Sequence, residues 1–72
     1  MKILIVEDNP DLRENILTYL SRENFICESA EDYEQGFDKI MSHSYDLVLI
    51  DIMLPKGNGL QLLQDLISVR PQ

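Results

Sequence analysis

Apolar residues fall into two kinds of pattern along this chain. Ile3 to Val6 and Leu47 to Ile50 are continuous β-prone runs of four bounded by charge, and a weaker run extends from Phe25 to Cys27 and on toward Ala30. Continuous rather than alternating apolarity predicts strands covered on both faces, as in a parallel sheet. Between and after these runs the spacing turns helical. Leu12, Ile16, Leu17 and Leu20 make one stripe, opened by Asn9 as N-cap with Pro10 at the first helical position. Tyr33, Phe37, Ile40 and Met41 make a second, starting near Glu31 or Asp32. Leu60, Leu63, Leu66 and Ile67 make a third, entered through "PKGNG" and stopped near Pro71. Gly36 interrupts the second pattern, where glycine costs ~1 kcal/mol relative to alanine.

The order is therefore β-α-β-α-β-α, and such alternation with short connections predicts an α/β sheet with right-handed crossovers. At 72 residues the chain holds one domain at most. A chain of this size buries only about 60% of the surface that it exposes when unfolded, so marginal stability is expected. The composition, 44% hydrophobic and 26% charged, is that of a folded domain. A net charge of -7 argues against contact with nucleic-acid phosphates or anionic membrane surfaces. One cysteine, Cys27, cannot make an intrachain disulfide and reads as a packed thiol in a reducing compartment. No apolar run approaches the roughly 18 residues of a membrane span, and "MKILIVEDN" reaches charge too early for a secretory signal. The expected location is the cytoplasm.

The chemistry lies at the ends of the strong runs. The first ends in Glu7 and Asp8, and the other in Asp51. Side chains at the carboxyl ends of parallel strands gather on one rim, and in doubly wound folds the binding crevice opens there. If the two strands are neighbours, three carboxylates meet within a few ångströms. They would raise one another's pKa unless a cation sat among them. Hard oxygen ligands in a partly hydrated cluster suit Mg²⁺. Asp51 beside such an ion is placed to attack a phosphoryl group as nucleophile. Taken alone, Asp51 reads as a turn residue, and Glu7 and Asp8 as helix-capping acids worth ~0.3–1 kcal/mol. Their coincidence favours a site.

"ILIVEDN" at 3–9, "YDLVLIDIMLP" at 45–55 and Gly59 together resemble the receiver domain of two-component response regulators. The resemblance implies a flavodoxin-like three-layer sandwich, its sheet ordered 2-1-3 over the three strands present here. It further implies Asp51 as phosphate acceptor from a sensor histidine kinase, Asp8 as a direct Mg²⁺ ligand and Glu7 acting through water. The Met53 carbonyl would be a further ligand, with Pro55 and Gly59 shaping the loop into the third helix. Such a module signals to an output, often a transcriptional one, and is not an enzyme in its own right.

The family has five βα units, and this sequence supplies three. It lacks the threonine or serine that follows the fourth strand and the lysine that follows the fifth. Of its own lysines, Lys2, Lys39 and Lys56, only Lys56 lies in the loop after Asp51. Metal binding is expected to survive such a truncation and signalling is not. The third strand is expected to present an open edge, through which the chain self-associates. An interaction module without phosphate chemistry is the alternative. A dehalogenase-type hydrolase would want an aspartate at position 53, which is methionine. Asp46 and His43 read as solvated or turn residues, and Glu28, Glu31, Glu34 and Asp38 as a solvated face.

Overall fold

A strand whose neighbours pair with it on both edges and pack on it from both faces must be apolar at every position, and β1 (Lys2–Val6) meets that condition. Ile3, Leu4, Ile5 and Val6 are all buried. The computed structural model describes residues 1–51, 54 and 59–69, and the side chains of these up to residue 67. After β1 come α1 (Pro10–Arg22), β2 (Ile26–Ala30), α2 (Tyr33–Ser42), β3 (Leu47–Ile50) and α3 (Gly59–Val69). The expectations that rest on Met53, Pro55, Lys56 and Pro71 lie outside the described residues. The strands are parallel, in the order β2-β1-β3.

Register decides which residues share a face. Ile3 and Ile5 stand opposite Leu47 and Leu49, whereas Leu4 and Val6 stand opposite Val48 and Ile50. The second set forms the main core with Ala30, Ile40, Leu54 and Leu62, and Tyr33, Phe37 and Leu66 pack against it. That face is covered by α2 and α3. On the other face α1 lies over β1 and β2. Leu47 and Leu49 are left 41% and 40% exposed, so the expectation of a third strand covered on both faces is corrected: it is covered on one.

Helix boundaries follow the local chemistry. Asn9 accepts from the N–H groups of Asp11 and Leu12 at 2.9 and 3.1 Å, and Pro10 opens α1. Asp32 does the same for α2 by accepting from Gln35 N–H at 2.8 Å. Asn24, with φ 66°, turns the chain out of α1 toward β2 in a left-handed conformation that asparagine tolerates.

Three helix-face expectations are corrected. In α3 the buried residue is Leu62, absent from the expected stripe, while Leu60, Leu63 and Ile67 are exposed and only Leu66 packs against the core. Leucines stand on nearly every side of this helix, so periodicity could not select the face. Leu12 of α1 and Met41 of α2 are exposed too, at the margins of their stripes. Gly36 proves to be a close-approach position: a Cβ there would lie 3.1 Å from both Val6 methyl groups and 3.2 Å from Leu62 Cδ2. Its propensity cost is offset by how near α2 can come to the sheet. Tyr33 donates its hydroxyl hydrogen to Asp65, which also accepts from Gln61 Nε2 at 2.9 Å, tying α2 to α3.

The amino-terminal rim carries a polar network. Tyr45 donates to Glu28 at 2.6 Å, and Lys2 lies 3.4 Å from the other Glu28 oxygen and 5.2 Å from the Tyr45 ring centroid. Glu28 is therefore part of a half-buried network, not of the expected solvated face. The Tyr45 hydrogen bond, with help from Lys2, holds the Glu28 carboxyl below its ordinary range. Burial, then the Glu28 bond, pushes the Tyr45 phenol up to about 12. A phenol with a raised folded pKa stabilises the fold below its unfolded value, and that contribution is lost as pH rises through about 10 to 12. Glu28, depressed, contributes above its ordinary value of 4.5 and is lost as pH falls through its lower folded value. Tyr45→Phe is therefore expected to lower stability by ~1 kcal/mol at neutral pH. The gap from the parent should close between pH 10 and 12 in paired denaturant melts. A gap that stays constant across that window would refute this account.

Candidate functional site

Three hydrogen bonds, each donated by a main-chain N–H, bring the acidic rim together. Val6 and Ile50 are opposite one another in the register, so the next residues, Glu7 and Asp51, leave adjacent strands at one level. Asp51 N–H donates to the Val6 carbonyl at 2.9 Å, continuing the ladder past the end of β3. Glu7 N–H donates to the Ala30 carbonyl at 3.0 Å, which extends the β1–β2 ladder likewise. The third bond joins side chain to backbone: Asn9 N–H donates to Glu7 Oε2 at 3.1 Å. The residue that caps α1 thus also holds a rim carboxylate.

One carboxylate oxygen from each of Glu7, Asp8 and Asp51 lies within 4.8 Å of the others. Glu7 is buried, Asp51 half-buried and Asp8 exposed, so the cluster opens to solvent on one side. Burial of Glu7, only 7% exposed, pushes its carboxyl above the ordinary 4.5, and its hydrogen bonds with Asp51 and Asp8 act in the same direction. The Asn9 N–H partly opposes them. A cation among the three would reverse that shift by favouring the charged forms. The donor set also suits a small hard divalent ion.

Comparison with known proteins decides the family. The response regulator receiver domain profile matches residues 3–72. This chain belongs to the response regulator receiver domain family. Response regulator ArlR of Staphylococcus aureus is 43% identical over 61 residues, which cover 85% of this chain and 28% of ArlR. The fold superposes on the response regulator TrrA from Thermotoga maritima, solved in complex with Mg²⁺-BeF, with a TM-score of 0.92 and 33% identity. That match covers 96% of this chain and 60% of TrrA. TrrA in complex with the histidine kinase ThkA matches at TM-score 0.87 and 34% identity, over 93% of this chain and 58% of TrrA. The receiver domain described here thus spans a little over a quarter of the curated relative. Its parallel 2-1-3 sheet between helical layers is the expected flavodoxin-like arrangement.

The structure brings Glu7, Asp8 and Asp51 of this receiver domain together, while Met53 and Lys56 lie outside the described residues. Beside the trio runs an open cleft of about 250 Å³, walled by Ile5, Ile16 and Leu49 and floored at one end by Glu7 and Asp51. His43 is exposed, with Nδ1 3.3 Å from the Lys39 carbonyl oxygen and its ring centroid 6.3 Å from that of Tyr45, and Cys27 Sγ lies 3.8 Å from the Phe25 carbonyl oxygen. Asp46 on the opposite rim accepts from Lys2 N–H at 2.7 Å, a bond from the residue before β3 to β1, so the expectation of a solvated or turn residue is corrected. Sequence reasoning missed Arg13. Its Nη1 donates to the Glu7 carbonyl at 2.9 Å, and its Nη2 lies 3.7 Å from Glu31 Oε1. A single arginine in an amphipathic helix carries no signal that separates such a role from plain solvation. No helix among the described residues is long and apolar enough to cross a membrane.

Proposed function

We propose that residues 1–72 form a phosphoacceptor receiver module, the amino-terminal three βα units of the family's five, with Asp51 as the acceptor. The observation that carries this reading is the meeting of Glu7, Asp8 and Asp51 at the carboxyl rim of a parallel sheet. In the proposed reaction a carboxylate oxygen of Asp51 attacks the phosphorus of a kinase phosphohistidine. A P–O bond forms, the P–N bond breaks, and the electron pair stays on the imidazole, which takes up a proton. Asp8 and Asp51 would hold Mg²⁺ directly, Glu7 through water, and the Met53 carbonyl would complete the protein's share. Bound there, the ion would neutralise charge on the phosphoryl oxygens. Asp51 is aimed by its place one residue beyond β3, where its N–H is fixed to β1. TrrA, the Thermotoga maritima relative, supports both halves of the reading through its Mg²⁺-BeF complex and its complex with a histidine kinase. In the parent protein the module would control an output, most simply transcription, in the cytoplasm.

Adding Mg²⁺ and then beryllofluoride while following amide resonances tests the site. Asp8, Asn9 and Asp51 are expected to shift with Mg²⁺ and again with the phosphoryl mimic. A chain that responds to neither is an interaction module without phosphotransfer.

A second part of the reading concerns assembly. Among the described residues β3 pairs with β1 alone, and Leu47 and Leu49 are both exposed. Unpaired edges bearing apolar side chains recruit further strands, so self-association through β3 is proposed. Sedimentation at rising micromolar concentration is expected to show a dimer. A compact monomer throughout would refute it.

A further inference from the structure

Arg13 hydrogen-bonds one of the residues that carry the rim carboxylates, and what it holds is backbone rather than carboxylate. Its Nη1 donates to the Glu7 carbonyl at 2.9 Å, its Nη2 reaches Glu31 Oε1 at 3.7 Å, and its side chain is only 16% exposed. The partner Glu31 is 62% exposed, so the ion pair itself contributes little. The half-buried bond to Glu7 is the stronger element. It closes a brace around one turn of chain: Glu7 N–H is fixed to β2, Glu7 Oε2 to Asn9 N–H, and the Glu7 carbonyl to a side chain one turn into α1. Asp8, between these anchors, has its direction set by them.

We infer that Arg13 is a positioning residue for the metal-binding carboxylates, acting through the Glu7 carbonyl to fix the Glu7–Asp8 peptide against α1. This deepens, and rests on, the reading of the trio as a Mg²⁺ site. The sign of the effect separates positioning from charge. A guanidinium near the rim repels a divalent cation, so removing its charge alone should tighten Mg²⁺ binding. Loss of a group that orients ligands weakens metal binding, by about tenfold or more for outer-shell partners.

The experiment measures Mg²⁺ dissociation constants of the full chain by amide titration for wild type, Arg13→Met and Glu31→Ala. Methionine keeps an unbranched stem of similar helix propensity and removes every donor. Arg13→Met is expected to bind Mg²⁺ about tenfold more weakly, with Glu31→Ala within twofold of wild type. Binding by Arg13→Met that equals or exceeds wild type overturns the inference while leaving the site intact. A wild-type chain that does not bind Mg²⁺ overturns the functional reading and the inference with it. Should Arg13→Met fail to fold, the wild-type guanidinium resonances decide. They are expected to shift along the same saturation curve as the Asn9 amide, and an Arg13 signal that stays still while Asn9 moves overturns the inference.

Discussion

Asp51→Asn is expected to give a chain that folds and accepts no phosphoryl group. The carboxamide keeps the size of the side chain, and the Asp51 N–H bond to Val6 belongs to the backbone, so the ladder is retained. What is lost is the oxygen proposed as nucleophile. Incubation with a small acyl phosphate, read by intact mass, should show labelling reduced by at least about three orders of magnitude, because no neighbouring step compensates for an absent nucleophile. Glu7 is no substitute, since it is buried. A second signature comes from electrostatics. Asp51 helps to raise the Glu7 carboxyl through a hydrogen bond and through its charge, so the Glu7 titration should move down toward the ordinary range in the variant. Labelling that persists at the parental rate would remove Asp51 from the proposed role.

Gly59→Ala is expected to be the most damaging single-methyl change in the described structure. A Cβ at this position would collide with the Asp51 carbonyl oxygen and would lie 2.8 Å from both the Asp51 carbonyl carbon and Ile50 Cγ2. Two of those atoms are backbone at the end of β3, where the chain is fixed to β1, and cannot step aside as a side chain tip can. Either α3 lifts from the sheet, withdrawing the fully buried Leu62, or Asp51 is displaced from the rim. Overpacking of this kind costs typically ~1–3 kcal/mol and can exceed that range. Chemical denaturation should show the loss, and Mg²⁺ affinity should fall with it. An alanine variant with parental stability and parental affinity would show that the helix start is not packed against Asp51.

How much of this was legible in the residues varied with how local the cause was. Asn9 and Pro10 announce α1 because capping is settled within four residues. The run at Ile3 to Val6 announces a central strand because two-sided burial leaves no polar position. Leu47 to Ile50 reads identically in sequence, yet half of it is exposed, since its place beside β1 and beyond the cover of α1 is set by topology. The face of α3 was illegible for a related reason: with leucine at 60, 62, 63 and 66, the choice falls to Gly59, whose contact with Asp51 is tertiary. The acidic trio was readable only by supposing that two strands are neighbours. Glu28 and Arg13 were not readable, because their partners Tyr45, Lys2 and the Glu7 carbonyl come from other segments of the chain.

The register of β1 against β3 has a thermodynamic corollary. Glu7 and Asp8 hang from one ribbon and Asp51 from another, and only the pairing of 3–6 with 47–50 holds the two side by side. A divalent ion seated across that seam would work as a clasp, ligated fully only when the ribbons are zipped. Its binding free energy then adds to that of zipping, by RT ln(1 + [ion]/Kd), so occupancy of the rim becomes a gauge of how firmly this small sheet is closed.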